Sequence, residues 1–420
     1  MGLIIHGAKV LTDEGLQLLD VSIDNGKVVA VGAGLIRGRH DTIAGSGMVL
    51  GPGFVDLHVH LREPGQTWKE DIESGTKAAA AGGFTAVVAM PNTNPPIDSK
   101  ETFDRVSLAA RQAQIDVIIA GALTENREGA AMSHLDDLYD RGVRIFTDDG
   151  DSVADAGVFR SVLRYLSDRA DVVVAQHSED VSISGDGHLH DGAIAWHLGI
   201  RGIPAAAEEV VIARDLVLAA ETGVHYHAQH LSSAGSVQMI RDAKNRGMKV
   251  TAEVTPHHLL LTESDMSGLD ANFKMYPPLR GESDRDSLVR GLTDGTIDVV
   301  ATDHAPHSRE EKDVTFETAP RGVIGLETAF SAVLEALDGD LVTLFDRMSI
   351  SPAAIANLAH QGNPVSVGAP ANLVLVDPEQ TWVPTEFVSR SVNSPFLGRK
   401  LNGRVIATIS RGEVVFGGYS

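Results

Sequence analysis

The chain has 420 residues, 43% of them hydrophobic, with 35 basic against 57 acidic side chains, a formal charge of −22 and no cysteine. The length admits a large core and more than one domain, although α/β barrels run past two hundred residues as one unit. The acidic balance disfavours nucleic acid or an anionic membrane surface as a partner, and the lack of cysteine excludes disulfides, thiolate metal sites and cysteine nucleophiles. No apolar run reaches membrane-spanning length. The start Met1-Gly2-Leu3-Ile4-Ile5-His6 lacks the basic-then-apolar pattern of a signal peptide, so a cytoplasmic location is expected.

Residues 3–51 read as short strands. Ile4-Ile5 and Val21-Ser22-Ile23 have strand character, and Asn25-Gly26 ahead of Val28-Val29-Ala30-Val31 is a strong hairpin signal. His6 and His40 in this piece read as ordinary surface or packing residues. The pattern then changes. Phe54-Val55-Asp56-Leu57-His58-Val59-His60 alternates apolar and polar residues as a strand does, which puts Asp56, His58 and His60 on one face. Two adjacent imidazoles at the end of a buried strand are either paired core histidines or the grip on a cation such as zinc; the Gly/Pro-bounded loop that follows favours the cation. Arg62 comes next, held by the turn-forming Pro64-Gly65, where a guanidinium can hold a substrate carboxylate by a bidentate pair.

Strands and helical segments now alternate. A helix is expected around Lys69–Ala81 with a Gly82-Gly83 stop, followed by strands at Phe84–Met90, Val117–Ala120, Val143–Thr147, Val172–His177, His225–His230, Val250–Val254 and Ile297–Thr302. With the His-x-His strand these make eight, and repeated βα units predict parallel strands closed into a (β/α)8 TIM-type barrel over 52–365. Ser182–His190 reads as a mobile loop. After about residue 365 strand character returns at Ala371–Pro378, Val405–Ile409 and Val414–Phe416. The tail 366–420 is expected to join 1–51 in one small β-sandwich domain built from both termini.

In such a barrel the chemistry sits at the C-terminal ends of the strands. Asp148-Asp149 ends the fourth strand, His177 the fifth, His230 the sixth, and Asp303-His304-Ala305-Pro306-His307 follows the eighth. With His58 and His60 these are metal-ligand residue types gathered on one edge, and their number suggests two metals. On chemistry alone the bridging carboxylate is Asp148 or Asp149.

The run Asp56-x-His58-x-His60-x-Arg62-Glu63-Pro64-Gly65 resembles the opening motif of dihydroorotases in the amidohydrolase superfamily, and the resemblance extends through nearly the whole chain. It implies a zinc-dependent enzyme of pyrimidine biosynthesis that reversibly cyclises N-carbamoyl-L-aspartate to dihydroorotate. Its implied ligands are His58, His60, Asp149, His177, His230 and Asp303, with Asp149 as the bridge, as in the aspartate-bridged class I type. The fourth strand contains no Lys to take that place. Two Zn2+ sites are implied, of which some relatives fill only one until a partner arrives. Asp303 is the implied general acid/base, working beside a metal-bridging hydroxide without a covalent intermediate. The resemblance also implies substrate contacts by His60, Arg62, Asn92, Tyr276, His307, Arg321 and Gly322. Two departures stand out. Tyr276 occupies a position where the family usually has an Asn that contacts the ring, and Pro320-Arg321-Gly322 lies where relatives often have an aromatic residue. Pro256-His257-His258 matches a family motif and reads as structural. The rivals are a hydantoinase or allantoinase, disfavoured by Arg62 and the missing Lys, and a non-catalytic partner of aspartate carbamoyltransferase, disfavoured because all six ligands are kept. A homodimer and a possible complex with aspartate carbamoyltransferase are the expected assemblies.

Overall fold

Strand-dense ends and a middle of alternating strands and helices recur in the computed structural model, which describes residues 2–35, 41–266 and 268–418; His40 lies outside the described residues. Both ends contribute to one eight-stranded sheet. Leu3–Thr12, Gly15–Asp24, Lys27–Gly32, Asp41–Ala44 and Val49–Pro52 come from the start, and Leu373–Trp382, Leu401–Ser410 and Glu413–Gly417 from the end. The two parts are stitched by Val49–Pro52 running antiparallel to Leu373–Val376. Asn25 and Gly26 take φ of 49° and 77°. Two positive φ values in sequence give the turn twist that matches a hairpin, and Asn and Gly tolerate them best.

The middle of the chain forms two parallel sheets. One joins Phe54–Val59, Phe84–Ala89 and Asp116–Ile119 in that order. The other joins Val299–Val300, Val250–Val254, His225–Ala228, Val173–Gln176 and Ile145–Phe146. Isolated parallel bridges Gly121↔Phe146 and Val59↔His304 connect the two sheets at both edges. The fourth and eighth strands are shorter than their apolar runs, because only Ile145–Phe146 and Val299–Val300 make regular ladders.

The helix expected near Lys69–Ala81 begins later, at Ile72. Asp71 caps it, accepting from the Ser74 N–H while Ser74 reaches back to the Asp71 N–H. It ends at Gly82, where a Cβ would lie 2.2 Å from the Leu326 carbonyl oxygen, so no larger residue fits. Outward strand residues such as Val87, Tyr226 and Val254 pack with helix residues Ile72, Ile212 and Ile240 in one core. Inward residues Leu57, Val88, Ala175 and Ala301 form a second, closed below by Ala353 and Ala356. Strict alternation fails in the first strand, whose register shifts between Asp56 and Val59. Asp56 therefore does not join the histidines. It accepts from the Thr302 N–H and, at 2.6 Å, from the Thr302 hydroxyl, tying the first strand to the chain after the eighth. The Ser182–His190 segment carries a helical turn at Val181–Ser184 and a strand at Leu189–His190 that pairs with Gly202–Ile203. Among the described residues no helix is long and apolar enough to cross a membrane.

Phe54 is fully buried against Phe84, Phe330 and Phe345, with ring centroids 5.7, 6.0 and 5.6 Å away. Phe54→Ala should cost about 3–5 kcal/mol, because the surrounding rings cannot collapse into the space; chemical denaturation measures it, and Phe54→Leu should lose far less. Glu327 receives the backbone N–H groups of Val388 and Ser389. Burial, with Glu70 nearby, pushes its carboxyl up to about 7, against the two hydrogen bonds. The folded state then holds this proton more tightly than the unfolded one, so its contribution to stability is full below the ordinary Glu range and is lost as pH rises to about 7. Thermal melts from pH 4.5 to 8 should show the wild type losing ground to Glu327→Gln across that window and no further change above it.

Candidate active site

The strand ends converge. His58 and His60 rings lie 5.2 Å apart, and His58 and His230 rings 5.3 Å apart. His58 Nε2 is 3.1 Å from Asp149 Oδ1, and His60 Nε2 is 2.9 Å from Asp303 Oδ1. His177 Nδ1 faces His230 Nε2 at 2.8 Å. All six are buried. Two ligand triplets result, His58–His60–Asp149 and Asp149–His177–His230, sharing Asp149. His230 and Asp303 adopt positive φ, 31° and 46°, which turns their side chains inward just past the strands.

The positions of the ring hydrogens decide whether the donor set fits a cation. His60 Nδ1 meets the Asn92 side-chain oxygen at 2.9 Å and therefore carries the hydrogen, which leaves a lone pair on Nε2 facing the carboxylates. His58 Nδ1 meets Glu253 at 2.7 Å with the same consequence. His177 Nε2 faces Glu179 at 3.3 Å, so its Nδ1 lone pair points at His230. Lone pairs and carboxylate oxygens thus point into one small volume, and His58 Nε2 and Asp149 Oδ2 have no hydrogen-bond partner. Buried polar groups are seldom left so. A divalent cation satisfies every one of these atoms, so the residues fit a metal. Asp148, the neighbour of Asp149, faces away and accepts from the Leu123 and Thr124 N–H groups.

Above this cluster opens a cavity of about 290 Å3, lined by His60, Arg62, Asn92, Tyr276, Asp303 and His307 among others. Burial lowers the Arg62 guanidinium to about 10, so it stays charged at neutral pH. Its Nε donates to the Pro306 carbonyl at 3.2 Å, which fixes the fork toward the cavity mouth. Burial, Arg62 and Lys69 push His307 down to about 2. The neutral ring donates from Nε2 to the Arg321 carbonyl at 2.8 Å. Gly322 gives its N–H to the Lys274 carbonyl at 2.9 Å, so both backbone groups expected to face substrate already have internal partners. Tyr276 stacks on His177 at 5.9 Å, and Arg321 lies 3.6 Å over its ring. The Tyr276 hydroxyl donates to Glu179. The tyrosine therefore presents a ring wall where an amide would have offered paired hydrogen bonds. Of Pro256-His257-His258, His258 bridges the Thr255 hydroxyl and the Pro277 carbonyl, a structural role.

Sequence reading missed Glu253, Glu179 and Gln229. Glu253 had a signal: one acidic residue inside an otherwise uncharged strand. Asn92 was read only as a substrate contact, and the structure gives it the further task of orienting His60.

A parallel-stranded α/β body carrying this cluster belongs with the amidohydrolases. The fold is shared with L-hydantoinase from Arthrobacter aurescens (TM-score 0.88, 24% identity, 100% of this chain and 96% of that one). It is shared also with dihydropyrimidinase from Brevibacillus agri NCHU1002 (TM-score 0.84, 25% identity, 100% and 95%). Sequence is more specific. A dihydro-orotase-like family model matches residues 47–236. The chain is 42% identical to a dihydroorotase of Carboxydothermus hydrogenoformans and 44% identical to one of Shouchella clausii, each over 99% of this chain and 98% of the relative. The chain belongs to the dihydroorotase family.

Metal-free protein should gain thermal stability on addition of Zn2+, because binding to the folded state alone stabilises it by RT ln(1 + [L]/Kd). Asp149→Asn, which weakens both triplets at once, should abolish most of that gain in a calorimetric scan while leaving the metal-free melting temperature unchanged or higher.

Proposed function

We propose that the protein is a zinc-dependent dihydroorotase that reversibly cyclises N-carbamoyl-L-aspartate to (S)-dihydroorotate in pyrimidine synthesis. In this reading the two parallel sheets and their linking bridges are one closed (β/α)8 barrel spanning 52–365, and the sheet built from 1–51 and 366–420 is a small separate domain. The observation that carries the reading is the pair of buried ligand triplets sharing Asp149, directly beneath a cavity guarded by Arg62.

His58, His60 and Asp303 would hold one metal, His177 and His230 the other, with Asp149 between them. When bound, such a pair supplies Lewis acidity at the amide carbonyl and lowers the pKa of bound water toward ~7. The chain's own groups do the rest. Arg62 takes the substrate carboxylate as a two-pronged charge-assisted pair, and the Asn92 NH2 group, left over after its oxygen orients His60, adds a donor. His307, neutral, fixes the Arg321 carbonyl at the cavity wall. In hydrolysis Asp303 takes the proton from the attacking water and delivers it to the leaving ring nitrogen; in cyclisation it runs the same transfer backwards. Tyr276 closes the ring side of the pocket by contact rather than by hydrogen bonds. A cytoplasmic location, a homodimer and an assembly with aspartate carbamoyltransferase are consistent with this role.

Hydantoinase or allantoinase activity is the second reading, favoured by the shared fold. Arg62 opposes it, since a buried cation in the pocket costs binding energy unless the ligand brings an anion. Purified protein with its metal content determined should turn over dihydroorotate and not hydantoin or allantoin. Asp303→Asn should lower kcat about 10²–10⁴-fold with zinc still bound, and Arg62→Met should act mainly by raising KM. Hydantoin turnover without dihydroorotate turnover would overturn the proposal. So would bound zinc with no turnover in the presence of the carbamoyltransferase.

A further inference from the structure

We propose that Glu253 is a positioning residue that fixes His58 in one tautomer and orientation, and that a buried column of His227, Thr251 and His225 fixes Glu253 in turn. The inference rests on the reading of His58 as a metal ligand.

The geometry is a chain of short contacts along the inner face of two adjacent strands. Glu253 Oε1 lies 2.7 Å from His58 Nδ1, and Oε2 lies 3.0 Å from His227 Nε2. His227 Nδ1 is 2.8 Å from the Thr251 hydroxyl, which is 2.9 Å from His225 Nε2. His227 and Thr251 are direct partners in the parallel ladder. Residues two apart on a strand share a face, so His225 and His227 on one strand and Thr251 and Glu253 on the next form a single polar column. Interiors of this kind are normally filled by branched apolar side chains. Polar groups there are costly unless paired, and here Glu253, His227 and Thr251 have every side-chain polar atom partnered.

Proton counting gives the column a direction. A carboxylate only accepts, so both His58 Nδ1 and His227 Nε2 carry hydrogens. With a single hydrogen on His227, its lone pair lies on Nδ1 and receives the Thr251 hydroxyl hydrogen. The freed Thr251 oxygen accepts from His225 Nε2. Every tautomer follows from one carboxylate. The result at the working end is an Nε2 lone pair on His58, aimed at Asp149. Gln229 Nε2 also approaches His58 Nδ1, at 3.2 Å, but it is a donor facing a donor, and the shorter contact to Glu253 decides. Glu253 Oε1 further accepts the His230 backbone N–H at 3.2 Å. One carboxylate therefore touches a residue of each ligand triplet. Carboxylates behind metal-bound histidines fix ring orientation and raise ligand basicity, and their loss costs about 10–100-fold in metal affinity.

Glu253→Gln tests this with volume kept. Its amide NH2 must face the hydrogen of either His58 or His227, so one ring flips or loses its partner. Zn2+ affinity, measured by competition with a chelator, should fall about 10–100-fold, while the melting temperature of the metal-free protein stays close to wild type. His227→Leu should weaken Zn2+ binding roughly tenfold, and His227→Gln, which keeps a donor toward Glu253, should recover most of it. These last two keep the question open to test if Glu253→Gln fails to fold. Unchanged Zn2+ affinity in Glu253→Gln, equal affinities in the two His227 variants, or an affinity loss matched by an equal loss of metal-free stability would each overturn the inference. Failure of the wild type to bind Zn2+ would instead overturn the functional reading on which it rests.

Discussion

Everything in this molecule is arranged around one electrostatic demand: imidazole lone pairs and carboxylate oxygens crowd a single buried volume around Asp149. His58 Nε2 sits 3.1 Å and His230 Nε2 3.8 Å from the same oxygen, Asp149 Oδ1. Without a positive charge among them such a set repels itself in a low-dielectric interior. With a divalent cation it becomes the most favourable interaction in the structure. The parallel strands serve this demand by ending at one level, so that residues scattered from position 58 to position 303 meet within bonding distance of a metal.

The surrounding groups show how the demand is held in place. Each histidine of the first triplet has its outer nitrogen committed, His60 to Asn92 and His58 to Glu253, so the inner nitrogen has only one thing it can present. Asp56 makes no contact with the cavity but binds Thr302 three ways, and thereby fixes the entry to the segment carrying Asp303. On the substrate side, Lys312 donates to the Ala271 and Pro320 carbonyls, clamping the segment before Tyr276 to the one bearing Arg321. Burial lowers this ammonium to about 7.

Tyr276 illustrates how a change of residue type is absorbed. Its hydroxyl is taken by Glu179, its ring by His177 on one side and Arg321 on the other. A phenol in that place could have blocked the cavity. Instead the three contacts hold the ring against the wall, and Tyr276 and Arg321 stabilise each other by cation–π stacking.

Sequence by itself determined most of the element types and, through the family resemblance, a set of candidate ligands. The βα rhythm, the Asn25-Gly26 turn and the His-x-His-x-Arg run are local patterns whose physics lies in alternation, φ preference and donor chemistry, all readable along the chain. Donor chemistry alone left Asp148 and Asp149 open and the resemblance chose Asp149; the fold shows which way each faces, Asp149 toward His58 and Asp148 toward the Leu123 and Thr124 N–H groups. Tertiary structure alone decided that Asp56 leaves the histidine face, since the register shift between Asp56 and Val59 arises from pairing with the neighbouring strand. It alone decided the tasks of Glu253 and Glu179, and the internal use of the Arg321 carbonyl and the Gly322 N–H. Those roles depend on partners up to 195 residues away, as Glu253 is from His58. No periodicity encodes such a distance; only the tertiary packing of the strands brings the two side chains together.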